Sequence, residues 1–139
     1  MGRKEKSLLI IKPDAVKRNL VGKILAEVEE VGFKILDLKM LKIKKDKAKK
    51  FYGVHNGKPF YKELVKYISS GTIVPILLEK ENAIADLREL IGNTDPSKAA
   101  PNTIRRNFAL SITQNSVHAS DSQKTFEFES KFFFNSKKE

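Results

Sequence analysis

The run from Leu8 to Ile11 is apolar at every position and is stopped by Lys12 and Pro13. A strand with no polar side has no face to give to water, so it reads as buried on both faces, and the rest of the chain must supply the cover. From Leu20, apolar residues recur at Val21, Ile24, Leu25, Val28 and Val31, and Gly32 is placed to end a helix. Phe33 to Lys44 alternates imperfectly between apolar residues and lysine, as a half-buried strand does. Asp46 is placed to cap a short helix through Tyr52, and a second short helix follows Phe60 and ends at Gly71.

Thr72 to Glu79 reads as a strand, although Pro75 would place it at a sheet edge. Asn82 is placed to cap a helix carrying Ile84, Leu87 and Ile91 and closing at Gly92, after which Asn93 to Asn102 has loop composition. A helical turn after Thr103, a strand near Asn115 to His118 and a final helix complete the order. Ser120 and Gln123 have capping-box spacing, which sets the entry of that helix just after His118. Two βαβ-like halves follow, without repeat or linker. The expectation is one domain over residues 1–139, an α/β (α+β) sandwich of ferredoxin-like βαββαβ type, with a four-stranded antiparallel sheet covered by helices. Residues 1–6 and 135–139 are expected as flexible ends.

The longest apolar runs fall far short of the roughly 20 residues a membrane helix requires, and the basic start lacks the apolar stretch of a signal peptide. A soluble, cytoplasmic protein without membrane partners is expected. With no cysteine and two histidines, the 139 residues offer no disulfide, thiol nucleophile or cysteine-based zinc site. The formal net charge of +10 is uneven: residues 1–50 carry 15 Lys or Arg against 7 acids, with seven lysines from Lys39 to Lys50. Such a field attracts polyanions, so a basic nucleic-acid-binding module is the alternative reading, but charge of this kind is more often a solvated surface.

Phosphate binding is the natural question for a basic α/β domain, and the glycine motifs fail to answer it. Gly53 to Gly57 followed by Lys58 has one residue too few for a P-loop and no Ser or Thr after the lysine. Any phosphate must be gripped by side chains. His55 sits in a turn-like stretch, whereas His118 ends a strand before a capped helix, whose free N–H groups would face an incoming anion. That setting makes His118 the better nucleophile candidate, and a neutral imidazole is available as a nucleophile at pH 7.

Asn115, Ser116, Val117, His118, Ala119, Ser120 and Asp121 resemble the N-x-x-H-x-S-D signature of nucleoside diphosphate kinases. Ile11 to Arg18 resembles that family's first strand and turn, Gly57 to Phe60 its nucleotide clamp, and Arg88, Gly92, Thr94, Asp95, Pro96 and Thr103 to Arg105 its phosphate loop. The resemblance covers roughly Ser7 to Phe134. It implies a ping-pong phosphotransferase in which His118 takes the γ-phosphoryl of a nucleoside triphosphate and passes it to a nucleoside diphosphate, with broad base specificity. By position, Arg88, Thr94 and Arg105 would hold the phosphates with Tyr52 nearby, Lys12 and Asn115 would contact the sugar and reacting phosphate, and Phe60 would stack on the base. Glu129 resembles the carboxylate that orients the imidazole, with Glu127 as its rival in sequence. Ser120 resembles that carboxylate's helper, although helix capping accounts for it equally well. No protein metal site is implied; Mg2+ would ride on the nucleotide phosphates. A homo-oligomer is implied, a hexamer rather than a tetramer, with nucleic acid bound weakly and non-specifically at most. Arg106, Asn107, Asn102 and Ala119 stand where the family usually has Gly, Asp, Gly and Gly, and Pro75 interrupts a strand expected to be central.

Overall fold

The computed structural model describes residues 4–53, 56–109 and 116–134. Strand β1 (Lys4–Ile11) leads through α1 (Pro13–Lys17) and α2 (Val21–Glu30) to β2 (Lys34–Leu38). Helices α3 (Lys45–Phe51) and α4 (Tyr61–Ile68) precede β3 (Val74–Glu81), which is followed by α5 (Ala83–Ile91). A 3-10 turn at Pro96–Lys98, α6 (Ile104–Phe108), β4 (Val117–Ala119) and α7 (Gln123–Ser130) complete the order. The strands form one sheet in the order β2-β3-β1-β4, and every neighbouring pair is antiparallel. The fold is the expected ferredoxin-like sandwich.

Alternation along β1 explains its unbroken apolar run. Leu9 and Ile11 face α2 and α5, packing with Ile24, Val28, Leu87 and Ile91, while Leu8 and Ile10 face the opposite cluster of Phe51, Val65, Ile68 and Phe126. Each fully buried Leu or Ile contributes about 1.5–3 kcal/mol, so β1 anchors two cores at once.

Pro75 lies inside central strand β3, and the register explains why. Antiparallel residues aim their polar groups at alternate neighbours. Ile10, opposite Pro75, faces β4, as do Leu8, whose carbonyl accepts from the Ser120 N–H (3.1 Å), and Lys12, whose N–H donates to Ser116 (2.8 Å). Proline therefore costs no bond to β1. Its carbonyl accepts the Lys39 N–H (3.1 Å), so its missing donor would point the same way, beyond Leu38, where β2 ends opposite Ile76.

Other local expectations change. Lys44, not Asp46, is the residue preceding α3, and Asp46 sits in the first turn. Asn82 precedes α5 in the left-handed region (φ 58) without a side-chain cap; the Ile84 N–H is instead met by Glu5 Oε1 at 2.9 Å. The strand expected across Phe33 to Lys44 ends at Leu38 after a register shift between Ile35 and Asp37, and only the bridge Leu41↔Ile73 continues it. Residues 4–6 pair with β3 rather than forming part of a loose end. Residues 135–139 lie outside the described residues. Helix α7 is capped by Ser122, whose Oγ accepts from the Thr125 N–H, so the Ser120–Gln123 capping box does not form and no helix opens directly after His118.

Candidate active site

Lys12 enters the site because Pro13 opens α1. Proline suits the first helical position and forces the preceding residue to stay extended; Lys12 has φ −82 and ψ 165. Its side chain is buried, and its pKa falls from 10.5 to about 7, chiefly through burial, then through Arg105, with Asp14 opposing.

His118 lies on β4 opposite Ile10, so the two side chains share a sheet face while Val117 and Ala119 point into the other core. That face presents α3 and α7. Glu129 of α7 receives the imidazole Nε2 at 3.0 Å from Oε1 and 3.1 Å from Oε2, and the buried Ser120 hydroxyl donates to the same Oε1 at 2.8 Å. Phe51 meets the imidazole edge-on at 5.4 Å between ring centres, and Tyr52 does so at 6.3 Å. The buried Tyr52 phenol is pushed well above its ordinary range by desolvation, then by Glu129, against the pull of Arg105.

The cations arrive from the outer side of β4. Its inward polar groups are used by β1, which leaves the Val117 and Ala119 carbonyls on the open edge. Arg105 Nη2 donates to Val117 (2.9 Å) and Nη1 to Gly92 (3.1 Å), while Arg88 Nη1 donates to Ala119 (3.3 Å). Two guanidinium groups thus bracket His118 while satisfying the edge strand. Arg105 is buried, its Nε has no hydrogen-bond partner among the described residues, and its pKa is lowered to about 10 by burial and then by Arg88, with Tyr52 opposing. Lys12, Arg105, Arg88, Tyr52, Glu129 and His118 form one electrostatically linked group.

Phe60 immediately precedes α4 and is 40% exposed. Thr94 is exposed in the loop after Gly92. Asn115 and His55 lie outside the described residues. Glu127 is turned away from His118, on exposed surface, accepting from Gln123 Nε2 at 3.2 Å. Among the described residues no group of three or more His, Cys, Asp or Glu is placed to hold a metal ion, and no helix is long and apolar enough to cross a membrane.

Of the departures Asn102, Arg106, Asn107 and Ala119, three have physical accounts, and nothing in the structure explains Asn107. Asn102 has φ 69, a conformation glycine adopts freely and asparagine tolerates. Arg106 Nη1 donates to the Ala99 carbonyl at 3.0 Å, closing the loop on itself. Ala119 fits the core with 1% exposure. Sequence reasoning missed Phe51 beside His118, whose signal lay in a contact between segments distant in sequence.

Residues 5–138 match the family model described as nucleoside diphosphate kinase. A curated nucleoside diphosphate kinase of Chloroherpeton thalassium is 49% identical over 130 residues, covering 94% of this chain and 92% of its own. One from Thermoplasma acidophilum is 48% identical over 131 residues, covering 94% and 88%. The solved Aquifex aeolicus nucleoside diphosphate kinase superposes with a TM-score of 0.93 at 43% identity, covering 96% of this chain and 97% of that one. The Halobacterium salinarum nucleoside diphosphate kinase, solved in complex with CDP, gives 0.93 at 34% identity, covering 97% and 90%. Fold and relatives together define a phosphotransferase acting on nucleotides. The chain belongs to the nucleoside diphosphate kinase family, and the nucleic-acid-binding alternative finds no support among these relatives.

Proposed function

We propose that this chain transfers the γ-phosphoryl of a nucleoside triphosphate to a nucleoside diphosphate by a ping-pong route through phosphorylated His118. The observation that carries this reading is the Glu129 carboxylate on Nε2, itself fixed by Ser120. A carboxylate there keeps the ring proton on Nε2 and leaves the lone pair on Nδ1. In the first half-reaction the Nδ1–P bond forms as the bond from phosphorus to the β,γ-bridging oxygen breaks, and its electron pair leaves with the nucleoside diphosphate. Glu129 stabilises the positive charge the ring acquires. In the second half-reaction a terminal oxygen of another nucleoside diphosphate takes the phosphoryl group, and the lone pair returns to Nδ1.

Arg105, Arg88 and Lys12 serve as the cations that stabilise the transferring group, with Thr94, Tyr52 and Asn115 completing the phosphate and sugar contacts. Phe60 stacks on the base, a contact indifferent to base identity. The donor set around His118 is cationic and suits a polyphosphate; when bound, Mg2+ is carried by the phosphates and neutralises part of their charge. The chain works in the cytoplasm as one domain within a homo-oligomer, a hexamer rather than a tetramer.

Incubation with a γ-labelled nucleoside triphosphate, then with an unlabelled diphosphate of a different base, tests the route. Acid-labile, transferable label is expected on the protein and absent from His118→Ala. Label persisting in that variant, or acid-stable label on Ser120, would overturn it.

A further inference from the structure

Away from the reacting groups lies a buried carboxylate that the proposed chemistry does not use. Asp14, 7% exposed, accepts the Tyr67 hydroxyl of α4 on Oδ1 at 2.7 Å. Its Oδ2 receives a longer contact from Ser116 Oγ at 3.4 Å and lies 3.6 Å from Arg18 Nη2. Arg18 also donates to the Phe108 carbonyl at the end of α6, and the Ser116 carbonyl accepts the Lys12 N–H at 2.8 Å. Ser116 is fully buried with φ 75, a strained conformation that persists only when its surroundings enforce it.

We propose that Asp14, anchored by Tyr67, is the positioning residue of this active site, tying four site-bearing elements to one buried charge. Helix α4 follows Phe60, β4 carries His118, α6 carries Arg105, and Lys12 precedes α1; each reaches Asp14 directly or through one residue. The inference rests on the reading of Lys12 as a phosphate ligand and deepens it. Asp14 acts in two separable ways. Its hydrogen bond from Tyr67 holds α4, and hence the base platform, against the sheet. Its charge favours protonated Lys12 against the repulsion of Arg105.

The charged and titratable groups of this neighbourhood divide by element. Arg105 of α6 and Asp14 of α1 act on Lys12; Arg88 of α5 and Tyr52, just after α3, act on Arg105, and Glu129 of α7 acts on Tyr52. Around Asp14 stand Tyr67 and Arg18, and Lys17 and Lys42 line with it a cavity of about 580 Å³. Tyr67 is the stronger anchor in this set, because its 2.7 Å hydrogen bond is shorter than the contacts from Ser116 at 3.4 Å and Arg18 at 3.6 Å.

Asp14→Asn keeps the shape and an acceptor for Tyr67 but removes the charge, whereas Tyr67→Phe keeps the charge and removes the tether. Both are read by kcat and KM against pH and by NMR titration of the Lys12 side chain in 13C-lysine-labelled enzyme. Asp14→Asn should lower the Lys12 titration, and with it the alkaline fall of kcat/KM, by about 1 pH unit, the low end for a lost carboxylate partner. Tyr67→Phe should leave that fall in place and raise the nucleotide KM by about 3- to 10-fold, as for one lost hydrogen bond, with a smaller change in kcat. Variants that melt earlier but keep the wild-type titration, pH profile and KM would show Asp14 to be merely structural and would overturn the proposal. A Lys12 titration that moves while the pH profile stays would support the Asp14 link and overturn the placing of Lys12 on the phosphates. Should Asp14→Asn not fold, Tyr67→Phe decides alone, and an unchanged KM there overturns the tether.

Discussion

Replacing Lys12 by methionine should strengthen the ligand-free fold while abolishing phosphoryl transfer. Lys12 is 4% exposed and its pKa drops from 10.5 to about 7. At about 1.4 kcal/mol per pH unit, that drop means roughly 4–5 kcal/mol of disfavour for the charged form on folding. The sign follows from proton counting. Between pH 7 and 10.5 the unfolded chain holds the Lys12 proton and the folded chain does not, so stability rises with pH through this window and is lowest below pH 7. Methionine has similar length and no charge; allowing for water entry and local relaxation, Lys12→Met should gain about 2–4 kcal/mol at pH 6.5. The wild-type slope, approaching about 1.4 kcal/mol per pH unit, should vanish in the variant. Urea unfolding followed by far-UV circular dichroism, at fixed protein concentration and from pH 6.5 to 9.5, measures both quantities. That range stops short of Arg105, whose pKa is lowered to about 10. Equal slopes in the two proteins, or a variant weaker than wild type at pH 6.5, would refute the argument that an ammonium is buried there at a cost. The same reasoning requires nucleotide binding at pH 8 to take up a proton, which calorimetry in buffers of different ionisation enthalpy detects.

Gly92→Ala would set a Cβ 2.6 Å from Thr103 Oγ1 at a φ of +89, and its carbonyl is an anchor of Arg105, so a loss of about 3 kcal/mol and of most transfer is expected by urea unfolding and steady-state assay. Glu129→Gln should slow single-turnover phosphorylation of His118 by about 10- to 100-fold, the worth of a hydrogen bond to a charged group, while Ser120→Ala, one contact further out, should cost about 5-fold. Equal losses in the two would mean that Ser120 meets the nucleotide itself. Phe60→Ala should weaken every common nucleotide by about 1–3 kcal/mol in equilibrium binding, and a purine-versus-pyrimidine bias in that loss would contradict stacking.

The sandwich was legible because the apolar patterns of β1 and α2 carry their periods openly. Pro75 misled at the level of one strand, since propensity says that proline leaves a sheet interior but not which neighbour its missing donor faces. Capping was misread for a related reason. Ser120 has the spacing of a cap, yet its hydroxyl goes to Glu129 across a turn of chain, and Ser122 does the capping. The sequence left Glu127 and Glu129 as rivals; helical phase turns Glu129 inward to His118 and Glu127 outward. Asp14 and Tyr67 were beyond reach because a tyrosine 53 positions from its carboxylate shows no spacing to read.

The short edge strand β4 also sets an order of events in time. It pairs the last part of the sheet with the first, and the Ser116–Asp14 contact beside it spans 102 positions of sequence. A ribosome adds roughly 5–20 residues per second, so β1 waits several seconds for this partner. Until then Leu8, Ile10 and Lys12 present an unpaired edge, a hazard for pairing between nascent chains. Because Glu129 emerges later still, a growing chain carries Lys12, Arg88 and Arg105 before it can orient the His118 imidazole. The contact between Glu129 and His118 therefore forms only once α7 has docked against β1, with Phe126 packed on Leu8 and Ile10.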